Sequence, residues 1–400
     1  MKAVILAAGE GSRLRPITTT RPKVMIPVGN RPILEYVVSA LRDSGIIDLI
    51  MVVGYKREKI MDYFGDGHQM GVNITYVEQY QQLGTAHALK QVSHMINDYF
   101  LVVNGDTIID PSAIREVIKY QVGDAAMLTV NIEGAQKYGV VKEQNGLVKN
   151  IQEKPKEESA GNTVNAGVYR FSPRIFEFLD SLEISERGEY EITEAIQRMI
   201  KSEYSVRAVH SSTKFIDALY PGDLLQINDM ILSKNKLEMK GKIEEGAHVI
   251  GPVGLGEDSV IRAGSYIVGP VSIGDNCNVG PNSVILPSTS IGDNCSIEPF
   301  TKISHSILMK NVKLSSFSHV SRSIVGEGVT IGPGFIAESG NTKIEIEDIM
   351  VPDNIGTIIG DNSCIGGRVL VRPGNIIGVR CKIGSGAMIW TNLPDNTKIL

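Results

Sequence analysis

Residues Lys2 to Lys23 read KAVILAAGEGSRLRPITTTRPK, and the rest of the chain is organised around them. Ala3, Val4, Ile5 and Leu6 form a short apolar run that stops at Ala7-Ala8-Gly9, which predicts a buried strand feeding a glycine-rich loop. Gly9 and Gly11 let the backbone turn sharply and bring bare N–H groups against an anion, while Arg13, Arg15 and Lys23 add fixed positive charge around the same point. Such a loop is suited to phosphate. Its spacing is neither GxxxxGK[ST] nor GxGxxG, because GxG is followed by Ser12-Arg13-Leu14-Arg15-Pro16 and then by Pro22-Lys23.

The pattern LAAGxGxRLxP followed by RPK resembles the sugar-1-phosphate nucleotidylyltransferases, which join a nucleoside triphosphate to a sugar phosphate and release pyrophosphate. The resemblance runs over residues 1–225. It implies that Leu6, Ala8, Gly9 and Gly11 contact the nucleotide and that Arg13 and Lys23 neutralise its triphosphate.

The chain has 400 residues, enough for two or three domains, and its 42% hydrophobic content supplies real cores. The net charge of −5 is spread out with no long basic run, so neither nucleic acid nor an acidic membrane surface is expected as partner. No apolar stretch approaches the roughly 18 residues of a membrane span, and the N-terminus starts a strand and not a signal sequence, so the expected location is cytoplasmic. Cys277, Cys295, Cys364 and Cys381 lack CxxC spacing, which argues against a zinc site.

After Lys23, helical and strand patterns alternate. Pro32 with Ile33, Leu34, Val37, Val38 and Leu41, then Gly45, predicts a helix; Leu49 to Val53, Ile74 to Glu78 and Phe100 to Asn104 predict strands, with helices from Lys56 and Thr85 between them. The expected fold is α/β, a Rossmann-like, mostly parallel sheet with helices on both faces, whose ligands gather at the strands' carboxyl ends. Gln79 follows the third strand in QYQQLGTAHA; its amide can pair with a pyrimidine edge, and Gly84-Thr85 opens a helix. The segment resembles the family's base-reading QxxxxGTA, which implies nucleotide contacts at Gln79, Gly84 and Thr85.

Asp106 ends the fourth strand, where a carboxylate can either cap the next turn or bind Mg²⁺, an ion that usually takes one or two protein carboxylates. The resemblance makes Asp106 a metal ligand and Asp217 its partner, although the family's Trp-x-Asp-x-Gly reads Phe215-Ile216-Asp217-Ala218-Leu219 here. Tyr138-Gly139-Val140-Val141, Glu153-Lys154-Pro155 and Asn165-Ala166-Gly167 resemble, in that order, the family's sugar pocket. By that resemblance Gly139 allows close backbone approach, Glu153 and Asn165 bond sugar hydroxyls, and Lys154 neutralises the sugar phosphate. Arg187-Gly188-Glu189-Tyr190-Glu191-Ile192-Thr193 also follows the family pattern and leads into a helix through Ile196, Met199 and Ile200.

Residues 226–242 read as a connector, entered through a helix that carries Leu224, Leu225, Ile227, Ile231 and Leu232. Over 243–400 the period changes. An aliphatic residue recurs at every sixth position from Ile243 through Val249, Leu255, Ile261 and onward to Ile303. This is the signature of a hexapeptide solenoid whose triangular coil takes three hexads. The register shifts near Leu308 and resumes at Ile359, Ile365, Val371, Ile377, Ile383 and Ile389. The segment resembles the left-handed parallel β-helix of hexapeptide acyltransferases and of two-domain nucleotidylyltransferases, which implies a homo-oligomer, specifically a trimer. Cys277 and Cys295, one such coil apart, are expected to stack as a reduced pair inside the solenoid.

The function expected is sugar-1-phosphate nucleotidyl transfer with Mg²⁺, from UTP or dTTP and glucose-1-phosphate or N-acetylglucosamine-1-phosphate. Three alternatives stand beside it: a bifunctional enzyme that also acetylates glucosamine-1-phosphate from acetyl-CoA, a GTP-dependent mannose-1-phosphate guanylyltransferase, and a non-catalytic nucleotide-sugar-binding subunit. Acetyl transfer needs a base, and His319 is the candidate. In Leu314-Ser315-Ser316-Phe317-Ser318-His319-Val320 serines occupy the family's Gly-His or Pro-His pair and His319 falls where the family has tyrosine, so the expectation is nucleotidyl transfer without efficient acetyl transfer.

Overall fold

The structure, a computed structural model, describes residues 1–120, 123–155, 161–213, 216–234, 237–347 and 349–400; Phe215, named above, lies outside them. It divides into two compact units, Met1–Glu10 with Ile33–Asp217, and Gly11–Pro32 with Ala218–Leu400.

In the first unit, Val4 and Ile5 of strand Ala3–Ala7 point to opposite faces and are both 0% exposed, so the sheet is covered on both sides. Its nine strands run in the order Asn73–Glu78, Asp48–Val53, Ala3–Ala7, Phe100–Asn104, Thr163–Phe171, Ala125–Asn131, Val206–His210, Leu147–Glu153, Gly139–Gln144. The first four are parallel, as the alternating pattern predicts. Beyond them the sheet is mixed: Thr163–Phe171 runs antiparallel to both of its neighbours, and Gly139–Gln144 forms a hairpin with Leu147–Glu153. That hairpin turns on Asn145 and Gly146, both at positive φ, the left-handed geometry a two-residue turn demands. Helix Ile33–Asp43 buries Ile33, Leu34, Val37, Val38 and Leu41, and Gly45 (φ 86°) follows its end.

The second unit carries helix Pro221–Lys234, whose Leu224, Leu225, Ile227, Ile231 and Leu232 are all buried, and a left-handed β-helix of three parallel sheets. Every sixth residue from Leu255 to Ile303 is at most 2% exposed and fills the solenoid. Its polar corners favour asparagine, as at Asn276 (φ 53°) and Asn294 (φ 58°), because Asn tolerates the left-handed region. Asn278 lies opposite Ser296, so Cys277 and Cys295 sit one coil apart, both buried and free.

The register shift expected near Leu308 is a shortening of the coil. Coils continue through Leu308, Leu314, Val320, Val325, Ile331 and Ala337, with a step of 17 residues in place of 18, as in Lys302 opposite His319. One corner residue is missing per coil, which hides the period in the sequence but leaves the inward positions aligned. From Ile324 the next rung is Ile358, a double step that accommodates an antiparallel hairpin, Gly340–Ile346 with Ile349–Ile355. The step of 18 then returns, Ile358 opposite Ile376.

Candidate active site

At the carboxyl end of the parallel strands the backbones are laced closely. Leu6 O accepts from Gly105 N–H at 2.9 Å and Ala8 O from Tyr55 N–H at 3.0 Å. A Cβ at Gly54 or Gly105 would stand 2.9 Å from the Ala8 or Leu6 carbonyl oxygen, so both positions require glycine, a need the sequence reading did not attach to Gly54. A Cβ at Gly9 would meet nothing within 4 Å, which leaves open space beside the backbone there.

Gln79 is 3% exposed. Its Nε2 donates to Gly84 O at 3.1 Å and lies 2.9 Å from His87 Nδ1, so both amide hydrogens have partners within the protein. His87, unremarked in the sequence, thereby orients Gln79. Gly84 (φ 104°) packs against Tyr190, whose carbonyl accepts from Ala86 N–H at 2.9 Å. Thr85 Oγ1 accepts from Ile192 N–H at 3.1 Å and caps helix Ile192–Lys201. Helix Thr85–Lys90 begins at Gly84-Thr85 as expected, and the Thr85 hydroxyl and the Ala86 N–H join it to helix Ile192–Lys201.

Asp106 follows strand Phe100–Asn104, and the next residues, Thr107–Ile108, pair antiparallel with Ile216–Asp217, setting Asp217 opposite Thr107. The two residues, far apart in sequence, are thereby brought near each other, Asp217 on the short ribbon and Asp106 one residue before it. Two carboxylates suit Mg²⁺, which keeps several waters and takes the rest of its shell from substrate phosphates. Among the described residues no group of three or more His, Cys, Asp or Glu forms a metal cage.

Gly139, Glu153 and Asn165 converge. The hairpin register sets Glu153 across from Gly139, and Val140 pairs with Val164, which brings in Asn165. A Cβ on Gly139 would stand 3.0 Å from Glu153 Oε2, 3.3 Å from Thr193 Cγ2 and 3.6 Å from Asn165 Cβ. Burial pushes the Glu153 carboxyl above the ordinary glutamate range, against the pull of Lys154. Arg187 Nη1 lies 3.6 Å from Glu153 and 3.0 Å from Glu191, so the RGEYEIT segment supplies a cation to this cluster. Asn165 is held by Tyr169 OH (2.5 Å) and by Gly167 N–H, which donates to its Oδ1 at 3.0 Å. Lys154 takes a left-handed conformation (φ 41°), its N–H bonded to Tyr138 O at 3.0 Å.

The remaining predicted cations stand on the second unit. Thr18 Oγ1 donates to Gly11 O at 3.0 Å, and a Cβ on Gly11 would fall 2.6 Å from Lys23 Cβ, so the two ends of the loop close on each other. Arg21 pairs with Asp361 and, at 3.2 Å, with Glu327; Asn30 Nδ2 donates to Ile291 O at 2.9 Å. Arg13 Nε is 3.2 Å from Glu347 Oε2, and Ser12 Oγ donates to the same carboxylate. His319 lies on the β-helix between Lys302 and Ile336, pulled below the ordinary histidine range by burial and by Lys302.

Residues 2–233 match the nucleotidyl transferase family, 267–356 the GMPPB C-terminal domain, and 356–390 the hexapeptide repeat of succinyl-transferase. The chain is 36% identical to the bifunctional protein GlmU of Methanocaldococcus jannaschii over 99% of this chain and 97% of that one. It is 41% identical to the UTP–glucose-1-phosphate uridylyltransferase AglF of Haloferax volcanii over 56% of this chain and 93% of that one. Among solved structures, a putative glucose-1-phosphate thymidylyltransferase from Bacillus anthracis, in complex with a sucrose, aligns with a TM-score of 0.53 and 31% identity, covering 57% of this chain and 94% of that one. Matched along nearly its whole length, the protein belongs to the nucleotidyl transferase family as a sugar-1-phosphate nucleotidyltransferase with a hexapeptide-repeat β-helix.

Proposed function

We propose that the enzyme joins UTP or dTTP to glucose-1-phosphate or N-acetylglucosamine-1-phosphate. A phosphate oxygen of the sugar phosphate attacks the α-phosphorus in line; a new P–O bond forms and the bond to pyrophosphate breaks. The convergence of Gly139, Glu153 and Asn165 beside Lys154 carries this reading, because it offers hydroxyl-bonding groups and a phosphate-pairing cation together. Arg13 and Lys23 neutralise the triphosphate, and Gln79, Gly84 and Thr85 face the base. Leu6, Ala8, Gly9 and Gly11 give backbone contacts to the nucleotide. Asp106 and Asp217 would hold Mg²⁺, which supplies positive charge to offset that on the reacting phosphoryl.

A second reading, GTP with mannose-1-phosphate, is supported by the match of residues 267–356 to the GMPPB C-terminal domain. Pyrophosphate release from each of five triphosphates with glucose-, N-acetylglucosamine- and mannose-1-phosphates separates the two. Preference for GTP with mannose-1-phosphate would establish the second, and no release with any pair would leave a binding subunit.

The oligomer is a trimer through the β-helix, for which the support is an outward row on one sheet, Tyr266, Val284, Lys302, His319, Ile336, Leu370 and Met388, apolar except at Lys302 and His319, with Tyr266 42% and Met388 59% exposed. Residues 1–225 serve catalysis and 243–400 assembly, with 226–242 connecting them. Among the described residues no helix is long and apolar enough to cross a membrane, and three of the four free cysteines are buried; both accord with a cytoplasmic enzyme.

A further inference from the structure

We propose that Glu347 competes with the nucleoside triphosphate for Ser12 and Arg13, so that the hairpin inserted in the β-helix restrains nucleotide binding. The proposal deepens the functional reading above and rests on Arg13 being a triphosphate ligand.

The geometry is specific. Glu347 (φ 49°) stands at the turn of the hairpin, and its two carboxylate oxygens take different donors of the glycine-rich loop, Oε1 the Ser12 hydroxyl and Oε2 the Arg13 guanidinium. These are the side-chain groups that an anionic phosphate chain would need, and a donor committed to a carboxylate is not available to a phosphate. The hairpin is an addition to the solenoid, which would otherwise pass from rung to rung in a single step. Ile344 and Ile346 are buried and seat it, while the polar turn reaches the loop.

The loop is fastened at two places with unequal strength. At its rear, Arg21 and Asp361 form a buried pair with side chains 12% and 4% exposed. At its front, Arg13 and Glu347 are 35% and 44% exposed, so water can replace either partner. The front can open while the rear holds. A cavity of about 380 Å³, lined among others by Arg13, Arg15, Thr19, Glu345, Glu347 and Asp395, adjoins the pair and gives the side chains room to part. The Ser12 hydroxyl and then the Arg13 guanidinium hold the Glu347 carboxyl below the usual glutamate range, so it is charged at neutral pH and competes as an anion.

The test compares Glu347→Gln, Glu345→Gln and Arg13→Ala in the full-length enzyme, by steady-state kinetics with UTP and by calorimetric titration with UTP. Glu345 lines the same cavity and its substitution removes the same charge, so it controls for the general field. Glu347→Gln should lower the KM and Kd for UTP about two- to five-fold, the range of an exposed ion pair, with kcat unchanged. Glu345→Gln should do neither, and the Glu347→Gln gain should vanish in an Arg13→Ala background. If Arg13→Ala weakens UTP while Glu347→Gln leaves it unchanged or weaker, the competition fails and the functional reading stands. If Arg13→Ala leaves UTP binding intact, both fail.

Discussion

Gly139→Ala probes the pocket with a single methyl group. Gly139 is not at a positive φ, so alanine fits the backbone and the fold should survive, with a thermal midpoint near that of the wild type. The methyl carbon, however, would lie 3.0 Å from Glu153 Oε2 and 3.3 Å from Thr193 Cγ2. Glu153 cannot step aside freely, since its other side is tied to Arg187 and its carboxylate accepts from Thr193. Forcing its side chain some 30° from a rotamer costs about 0.5–1.5 kcal/mol. Converted at about 1.4 kcal/mol per tenfold, that is roughly a two- to twelve-fold loss in kcat/KM, and it should fall on the sugar phosphate. Initial rates with sugar phosphate varied at saturating nucleotide, and the reverse, would separate the effects. An unchanged KM for sugar phosphate, or an equal rise in the KM for nucleotide, would refute the assignment of Gly139 and Glu153 to the sugar.

Asp106→Asn should keep the fold and lower kcat by about 10²-fold or more through lost charge stabilisation; near-wild-type turnover in saturating Mg²⁺ would remove Asp106 from the mechanism. Lys154→Ala should impair turnover with every nucleotide, whereas Gln79→Ala should chiefly change the ratio of kcat/KM among bases, and an unchanged ratio would mean that the base is read elsewhere. Glu153, its carboxyl raised by burial, binds its proton more readily folded than unfolded, so its contribution to stability falls as pH rises from the ordinary glutamate value through the raised one. Thermal melts across that window should show this decline in the wild type and its loss in Glu153→Gln; matching profiles would contradict the burial argument. For His319 the expected outcome is nucleotidyl transfer without acetyl transfer, because among the described residues nothing hydrogen-bonds its ring and a general base needs an orienting partner. CoA release that requires glucosamine-1-phosphate and disappears in His319→Ala would make the enzyme bifunctional.

What could be read from the sequence followed local periodicity. The four parallel strands and the eighteen-residue coils announce themselves because each buried position repeats at a fixed interval. The mixed half of the sheet does not: Thr163–Phe171 pairs with Phe100–Asn104 across a long stretch of chain, and no spacing encodes that partner. Even so, Asn145-Gly146 between two strands is a local hairpin signal that was there to be used. In the site, Gly139, Glu153 and Asn165 came from motifs, but Thr193 and Arg187 joined them only once the chain had folded. His87 carried no signal beyond lying eight residues after Gln79.

The division of the chain by chemistry differs from its division by packing, and the difference bears on how catalysis is supported. Motifs run without a break through residues 1–225, yet Gly11–Pro32, which bears Arg13 and Lys23, packs with the helix Pro221–Lys234 and the β-helix. Gly29 N–H donates to Asn228 at 2.8 Å, Asn30 reaches the carbonyl of Ile291, and Arg21 is neutralised by Asp361. Among the described residues Arg21 Nε has no partner, so losing Asp361 would leave this buried cation with the half-exposed Glu327 as its counter-charge and should destabilise the loop's attachment. The Gly11–Pro32 segment, which clusters with the second unit, buries Leu14, Ile17, Val24, Ile26 and Val28, and the bonds just named fix its polar groups. The solenoid provides rigid, evenly spaced attachment points for it, and that is a physical reason for a catalytic sequence to carry a β-helix beyond any part it plays in assembly.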